Sequence, residues 1–475
     1  MKLSRATMTL LGATAIVGGM PFYGLAQESE TPDATEIVVP TDAELPSPSP
    51  LESYTAGVAL FEQARYPEAI AAFDEAIRIS PGYADAYLYR GASYKALEDL
   101  DDAIADFNQA IELNPRLGRA YLLRAEIHYE LGNAQQALAD ARTALALDPS
   151  LGDAYLYQGL VALESGDTFR AVSEFTAAID QNPDQLPAYL LRGFAYDREE
   201  NYPAAIADFS YVLEREGDNT IAYIGRGAAY YHEGSFRDAE ADFDRALAIN
   251  NELPYAYYNR SFIYATQNRL GAAIADLDQA IALQPDFPRA YLNRGLLLAR
   301  QGNDTAALSD LNRALDLDPN LAEAYRGRAE IQFARGREAD AVADYTRALA
   351  IAPDAAILYK MRGDAYLADA NTAAALADYN QAIALQPDYP EAYAARAQVY
   401  SQVGDLQRAL DDYSLVISLT DDAIDPDVLY KRGLMLLRLG DTAGARADLQ
   451  AAADRYLATG QADGYRQTVQ YLRQF

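Results

Sequence analysis

The sequence contains no cysteine and no tryptophan, and its two histidines are His128 and His232. Without thiols there is no disulfide framework, Fe–S cluster, thiolate zinc site or thiol nucleophile. Two separated imidazoles leave little for a histidine-based metal site or catalytic triad. Lysine is nearly missing too, being confined to Lys2, Lys95, Lys360 and Lys431. Positive charge as a whole is in deficit, with 39 Lys+Arg against 70 Asp+Glu and a net charge of -31. Such a chain lacks the basic footprint that phosphates need, so nucleic acid is excluded as a partner, and anionic lipid repels it. No phosphate-binding loop, nucleophile elbow or H-E-x-x-H pair occurs. No enzymatic activity, metal or cofactor is therefore expected. What the chain does have is apolar residues, at 50% of its 475 positions, and 36 tyrosines. That is ample for a packed core and rules out wholesale disorder.

The first 26 residues read as an address. Lys2 and Arg5 precede an apolar stretch that is interrupted by Gly12, Gly18, Gly19 and Pro21 and closes on Gly24-Leu25-Ala26. A basic start, a short apolar region and small residues before Gln27 predict a secretory signal peptide cleaved after Ala26. The stretch is short and glycine-broken against the ~20 apolar residues of a spanning helix, so no membrane span is expected in the mature chain. Retention as an anchor is the competing reading, and the absence of cysteine excludes a lipoprotein anchor. A periplasmic or secreted location follows from cleavage. Residues 27–49 carry six acids, no base and several prolines, the composition of a flexible acidic linker.

From residue 50 the chain repeats. Residues 280–291 and 382–393 differ at two positions and lie three periods of 34 apart. Pro81, Pro115, Pro149, Pro183, Pro285, Pro319, Pro353 and Pro387 sit on that grid. With Ala84 as position 1, position 8 is small throughout, as at Gly57, Gly91 and Ala125. Position 20 is alanine in all twelve repeats, from Ala69 to Ala445. Position 24 is Phe, Tyr or Leu except at Ala141, and position 27 is Ala except at Val212 and Val416. Each repeat thus holds two apolar stripes of helical period. Position 15 between them is Gly in seven repeats, from Gly132 to Gly440, which suits a left-handed end to the first helix. Asn133, Asp167, Ser235 and Asn303 are expected to cap the second helix, and Asp286, Asp354 and Asp388 the next first helix. A two-helix unit cannot bury its faces alone, so the units must stack.

The run Tyr87-x2-Arg90-Gly91-x2-Tyr94…Ala103-x3-Phe107…Pro115 resembles the tetratricopeptide repeat (TPR) family, whose pattern is W-x2-L-G-x2-Y…A-x3-F…P. Tyr for Trp and Arg for Leu are the departures. The resemblance covers about 50–459, with 460–475 left as a C-terminal capping helix carrying Tyr465, Val469 and Leu472 on one face. It implies an all-α fold, an α-solenoid forming a right-handed superhelix of antiparallel helix pairs. It also implies a non-enzymatic scaffold whose first helices line a concave groove for a protein or peptide partner.

Two charged positions recur in phase. Position 7 is Arg in ten repeats and position 23 is acidic in eleven, for example Arg192 and Asp208. These predict an Arg–carboxylate ladder, since guanidinium suits bidentate, partly buried pairing. In the family, positions 2, 5, 9, 12 and 13 face the groove. Carried over, they give Phe194, Ile221, Ile224, Tyr231, His232, Tyr255, Tyr258 and Phe262 as the partner-binding set. Leu88, Leu122, Tyr129, Leu156, Leu160 and Leu163 precede it. The later repeats are polar at these positions, as at Glu323, Arg326, Lys360 and Glu391. An apolar groove reads as an interaction site; the competing reading is that stacking buries the rings. A carboxylate clamp is absent, since positions 5 and 9 read Leu88/Ala92, Leu122/Glu126 and Lys360/Asp364. An alternative role is a glycan-binding or export accessory protein of the cell envelope, with groove tyrosines stacked on sugar rings. Of the 36 tyrosines, ten lie at position 4, six at position 11 and three at position 24, where packing explains them.

Overall fold

A computed structural model describes residues 49–420 and 424–473. The signal segment, nearly all of the acidic linker and the last two residues lie outside the described residues. The described residues form 25 helices and no strand, and they divide into two compact units that meet between Arg269 and Leu270.

The first unit runs α1 (Pro50–Glu62), α2 (Tyr66–Ile79), α3 (Ala84–Ala96), α4 (Leu100–Leu113), α5 (Gly118–Glu130), α6 (Ala134–Leu147), α7 (Asp153–Glu164), α8 (Thr168–Gln181), α9 (Leu186–Arg198), α10 (Tyr202–Arg215), α11 (Thr220–Glu233), α12 (Phe236–Ile249) and α13 (Pro254–Thr266). The second runs α14 (Leu270–Leu283), α15 (Pro288–Arg300), α16 (Asp304–Leu317), α17 (Ala322–Ala334), α18 (Glu338–Ile351), α19 (Ala356–Ala368), α20 (Thr372–Leu385), α21 (Pro390–Val403), α22 (Leu406–Thr420), α23 (Pro426–Leu439), α24 (Thr442–Ala458) and α25 (Ala462–Leu472). Odd-numbered helices up to α23 are the first helices of repeats and even-numbered ones the second. Helix α25 packs on α24. Ser49, at the end of the acidic segment, is the N-cap of α1 and makes a reciprocal capping box with Glu52.

The period sets the packing. The position-20 alanines have no exposed surface, nor do those at position 27, so the two helices of a repeat approach closely. Between them, where position 8 is glycine and position 24 a ring, the ring lies against bare backbone. A Cβ added at Gly159 would sit 2.5 Å from the Phe175 ring. Gly159→Ala is therefore expected to destabilise by ~1–3 kcal/mol through overpacking, read as a lower urea midpoint.

The short turn between the helices is left-handed in every repeat. Glycine takes it seven times, with φ from 68 to 89°. Ala64, Glu98, Glu200, Asn268 and Ala370 take it in the other five, with φ from 58 to 66°. The side chains there oppose the conformation, and the two packed helices impose it. Substituting Gly at Ala64, Glu98, Glu200 and Ala370 is expected to stabilise by about 0.5–1 kcal/mol each, seen as additive rises in the thermal midpoint.

The capping expectations hold in part. Asp167 and Asn303 accept from the backbone N–H of Arg170 and Ala306. Asn133 and Ser235 occupy the cap position without a side-chain bond. Asp286, Asp354 and Asp388 do not cap the next helix; Phe287, Ala355 and Tyr389 stand at that position instead. At Phe287 the reason is burial. Phe287 and its counterparts Leu321 and Leu253 are 3%, 3% and 7% exposed, so the position serves the core there, whereas Ala355 and Tyr389 are half-buried.

Candidate partner-binding face

The Arg–carboxylate ladder is present and fixes the register of the stack. In Arg90–Asp106, Arg124–Asp140, Arg192–Asp208, Arg226–Asp242, Arg294–Asp310, Arg328–Asp344, Arg362–Asp378, Arg396–Asp412 and Arg432–Asp448, Nε and Nη2 donate to the two carboxylate oxygens at 2.7–2.8 Å. The free Nη1 reaches back to position 25 of the preceding repeat, as in Arg192 to Thr176 Oγ1 at 3.1 Å and Arg294 to Asp278 at 2.6 Å. Tyrosines at positions 4 and 11 flank the guanidinium, as Tyr189 and Tyr196 flank Arg192. Hydrogen bonding to the carboxylate holds the Arg192 and Arg226 guanidinium groups above their ordinary pKa.

In the first unit, successive first helices α1, α3, α5, α7, α9, α11 and α13 touch one another, whereas successive second helices are spread apart. The first helices therefore form the inner layer of that unit. This contact corrects much of the expected apolar groove. Leu88, Leu122, Tyr129, Leu156, Leu160 and Leu163 are all at most 8% exposed, because positions 5, 9 and 12 fill the seams of that layer.

The eight expected partner-binding residues divide in the same way. Phe194, Ile224, Tyr255 and Tyr258 are buried and belong to the core rather than to an open surface. The Phe194 ring lies edge-on to Phe209 at 4.9 Å, and Tyr258 edge-on to Phe262 at 5.0 Å. Ile221, Tyr231 and Phe262 are half-buried, and His232 is exposed. Tyr231 lies 6.3 Å from Phe262 and 5.6 Å from His232, and its hydroxyl meets Thr266 Oγ1 at 3.4 Å. Two members were not anticipated. Tyr202 stacks on His232 at 5.2 Å, and Phe236 packs on Tyr231 at 5.5 Å. Both open a second helix, whereas the family's groove positions lie on first helices. Desolvation by its neighbours holds the His232 imidazole below its ordinary pKa. The result is a partly open aromatic cluster from α10, α11, α12 and α13. His128 is half-buried and 3.9 Å from Asp140.

Beside this cluster stands a residue that hydrophobic scanning passes over. Asp197 occupies position 12 of α9, where other repeats carry Tyr129, Leu163 and Tyr231. It is 8% exposed, and its Oδ1 is enclosed without a hydrogen-bond partner. Burial pushes its pKa up to about 7, against a smaller opposing pull from Arg198. Arg198 itself points elsewhere, its Nη1 donating to the Leu163 carbonyl at 2.9 Å. Burial also raises the Tyr202 phenol, with Glu200 and Asp197 adding to the rise; Asp197 and Tyr231 hold the same position on the adjoining first helices α9 and α11, which touch.

The polar end of the chain makes no carboxylate clamp, since Lys360 is paired with Asp364 at 2.7 Å. Among the described residues no three His, Asp or Glu gather as metal ligands, and no helix is long and apolar enough to cross a membrane.

Sequence profiles of the tetratricopeptide repeat match residues 84–117, 122–185, 156–210, 190–254, 288–321, 306–356, 390–422 and 427–456. A profile described as TPR repeat matches 57–98, 263–302 and 363–404. No curated protein matches the chain. Among solved structures, the chain is similar to one in the crystal structure of the APC/C hetero-tetramer Cut9–Hcn1. The identity is 14% over 81% of this chain and 96% of that one, with a TM-score of 0.46. It is also similar to yeast Tom70, at 17% identity over 89% and 95% of the two chains and a TM-score of 0.38. Taken with the period, the small-residue positions and the stacked helix pairs, the profile matches show that the chain belongs to the tetratricopeptide repeat family.

Proposed function

We propose that the protein is a non-enzymatic interaction scaffold that binds a segment of a partner protein on the inner, first-helix face of its first unit. The partly open cluster of Tyr202, Tyr231, His232 and Phe262 supports this reading, because the rest of that face has spent its apolar groups on packing. Export to the cell envelope, in the periplasm or beyond, is proposed from the N-terminal segment alone. The sugar-stacking alternative calls for flat, open ring faces, and the rings around Tyr231 are tilted against one another at 56–77°.

The test is affinity capture from an envelope extract with the full chain and with a Tyr231→Ala, Phe262→Ala double variant. The variant is expected to lose specific partners while keeping its helical content. The same partners captured by both would remove the inner face as the site. Tyr258 is left intact because it is 1% exposed and its truncation would damage the core. Sequencing of the exported protein is expected to begin at Gln27; a Met1 start would make the segment an anchor.

A further inference from the structure

Each of the nine rungs named above gives a buried carboxylate two guanidinium N–H donors. Asp197 has none, although it is as buried as they are. Its neighbour in sequence, Arg198, is tied to the Leu163 carbonyl, and adjacent helix positions do not face one another. A desolvated, unpaired carboxyl is destabilising. The fold does not demand it either, because position 12 is filled by Tyr129, Leu163 and Tyr231 in the repeats around it. One enclosed carboxylate oxygen without a donor matches one ammonium or guanidinium group. Exposed carboxylates at Glu164 and Glu200 favour the approach of positive charge.

We propose that Asp197 recognises a lysine or arginine of the partner segment, whose flanking apolar side chain seats on Tyr231 and Phe262. This rests on the inner-face reading above and adds the chemistry of the ligand: a basic side chain beside an apolar one. The partner's cation would supply the counter-charge that the free protein withholds from Asp197.

The experiment is fluorescence anisotropy with the full chain and labelled, blocked octapeptides Ser-Gly-Leu-Xaa-Leu-Gly-Ser-Gly, with Xaa as Lys, acetyl-lysine, norleucine or Glu. The wild type is expected to prefer Lys over acetyl-lysine by about 10-fold and to bind Glu most weakly. In Asp197→Asn the Lys preference should fall to within about 2-fold while binding of the norleucine peptide is kept. The Tyr231→Ala, Phe262→Ala variant should weaken all the peptides together. A Lys preference that survives in Asp197→Asn overturns the assignment of Asp197 and leaves the inner face standing. Equal binding of every peptide by the aromatic variant and the wild type, or no binding of any peptide by the wild type, overturns both.

Discussion

Asp208→Ala is expected to lower stability by about 3 kcal/mol, far more than loss of a surface ion pair. Asp208 is 6% exposed and receives Arg192 Nε and Nη2, each at 2.8 Å. Alanine leaves the guanidinium wedged between Tyr189 and Tyr196, with Thr176 as its remaining hydrogen-bond partner. Its side chain is only 16% exposed, so much of its desolvation stays uncompensated. Replacing both residues, Arg192→Leu with Asp208→Leu, removes both charges and is expected to cost clearly less than the single change. Urea unfolding followed by circular dichroism measures the three variants. Because α9 and α10 carry this pair, and Arg192 also bonds back to α8, the loss should spread to the neighbouring repeats. A cost below about 0.5 kcal/mol for Asp208→Ala would mean that the ladder is a row of solvated charges. High salt should leave the loss nearly unchanged, since a buried pair is little screened.

The ladder was legible because its two members recur in phase at positions 7 and 23, beside residues whose packing role is plain. The same holds for the alanines at positions 20 and 27 and the rings at position 24. The accessible site was harder to read, for a physical reason. Leu156, Ile224 and Tyr258 have the composition of an apolar groove and of an inter-helix seam alike. Only the contact between successive first helices decides between the two. The turn at position 15 shows a second limit: Glu98 and Ala370 carry no local signal for a left-handed backbone, and tertiary packing imposes it. Position 34 shows a third, where Phe287 serves the core and Asp286, expected as the cap, stands one residue too early. Asp197 was visible only as an exception. An acid at position 12 breaks the local pattern, and its meaning depends on burial and on where Arg198 points.

Asp197→Leu is expected to stabilise the protein, with the gain depending on pH. In the unfolded chain the carboxyl titrates near ~4, whereas in the folded protein burial pushes it up to about 7. Between those values the folded state binds more protons than the unfolded one. Wild-type stability from this group is therefore fully present below about pH 4 and is lost as pH rises through about 7. Leucine, the residue at the equivalent Leu163, has no such term and fits an apolar seam. The thermal midpoint of Asp197→Leu should thus exceed that of the wild type by a margin that is small near pH 4, widens up to about pH 7 and is flat above. The full margin corresponds to a difference on the order of 2–4 kcal/mol. Asp197→Asn, whose amide still lacks partners, should gain less. A margin independent of pH would mean that the carboxyl is ionised in the folded protein throughout and already satisfied. A stabilised Asp197→Leu that also loses the lysine preference of the wild type would identify the residue as one retained for recognition at the expense of stability.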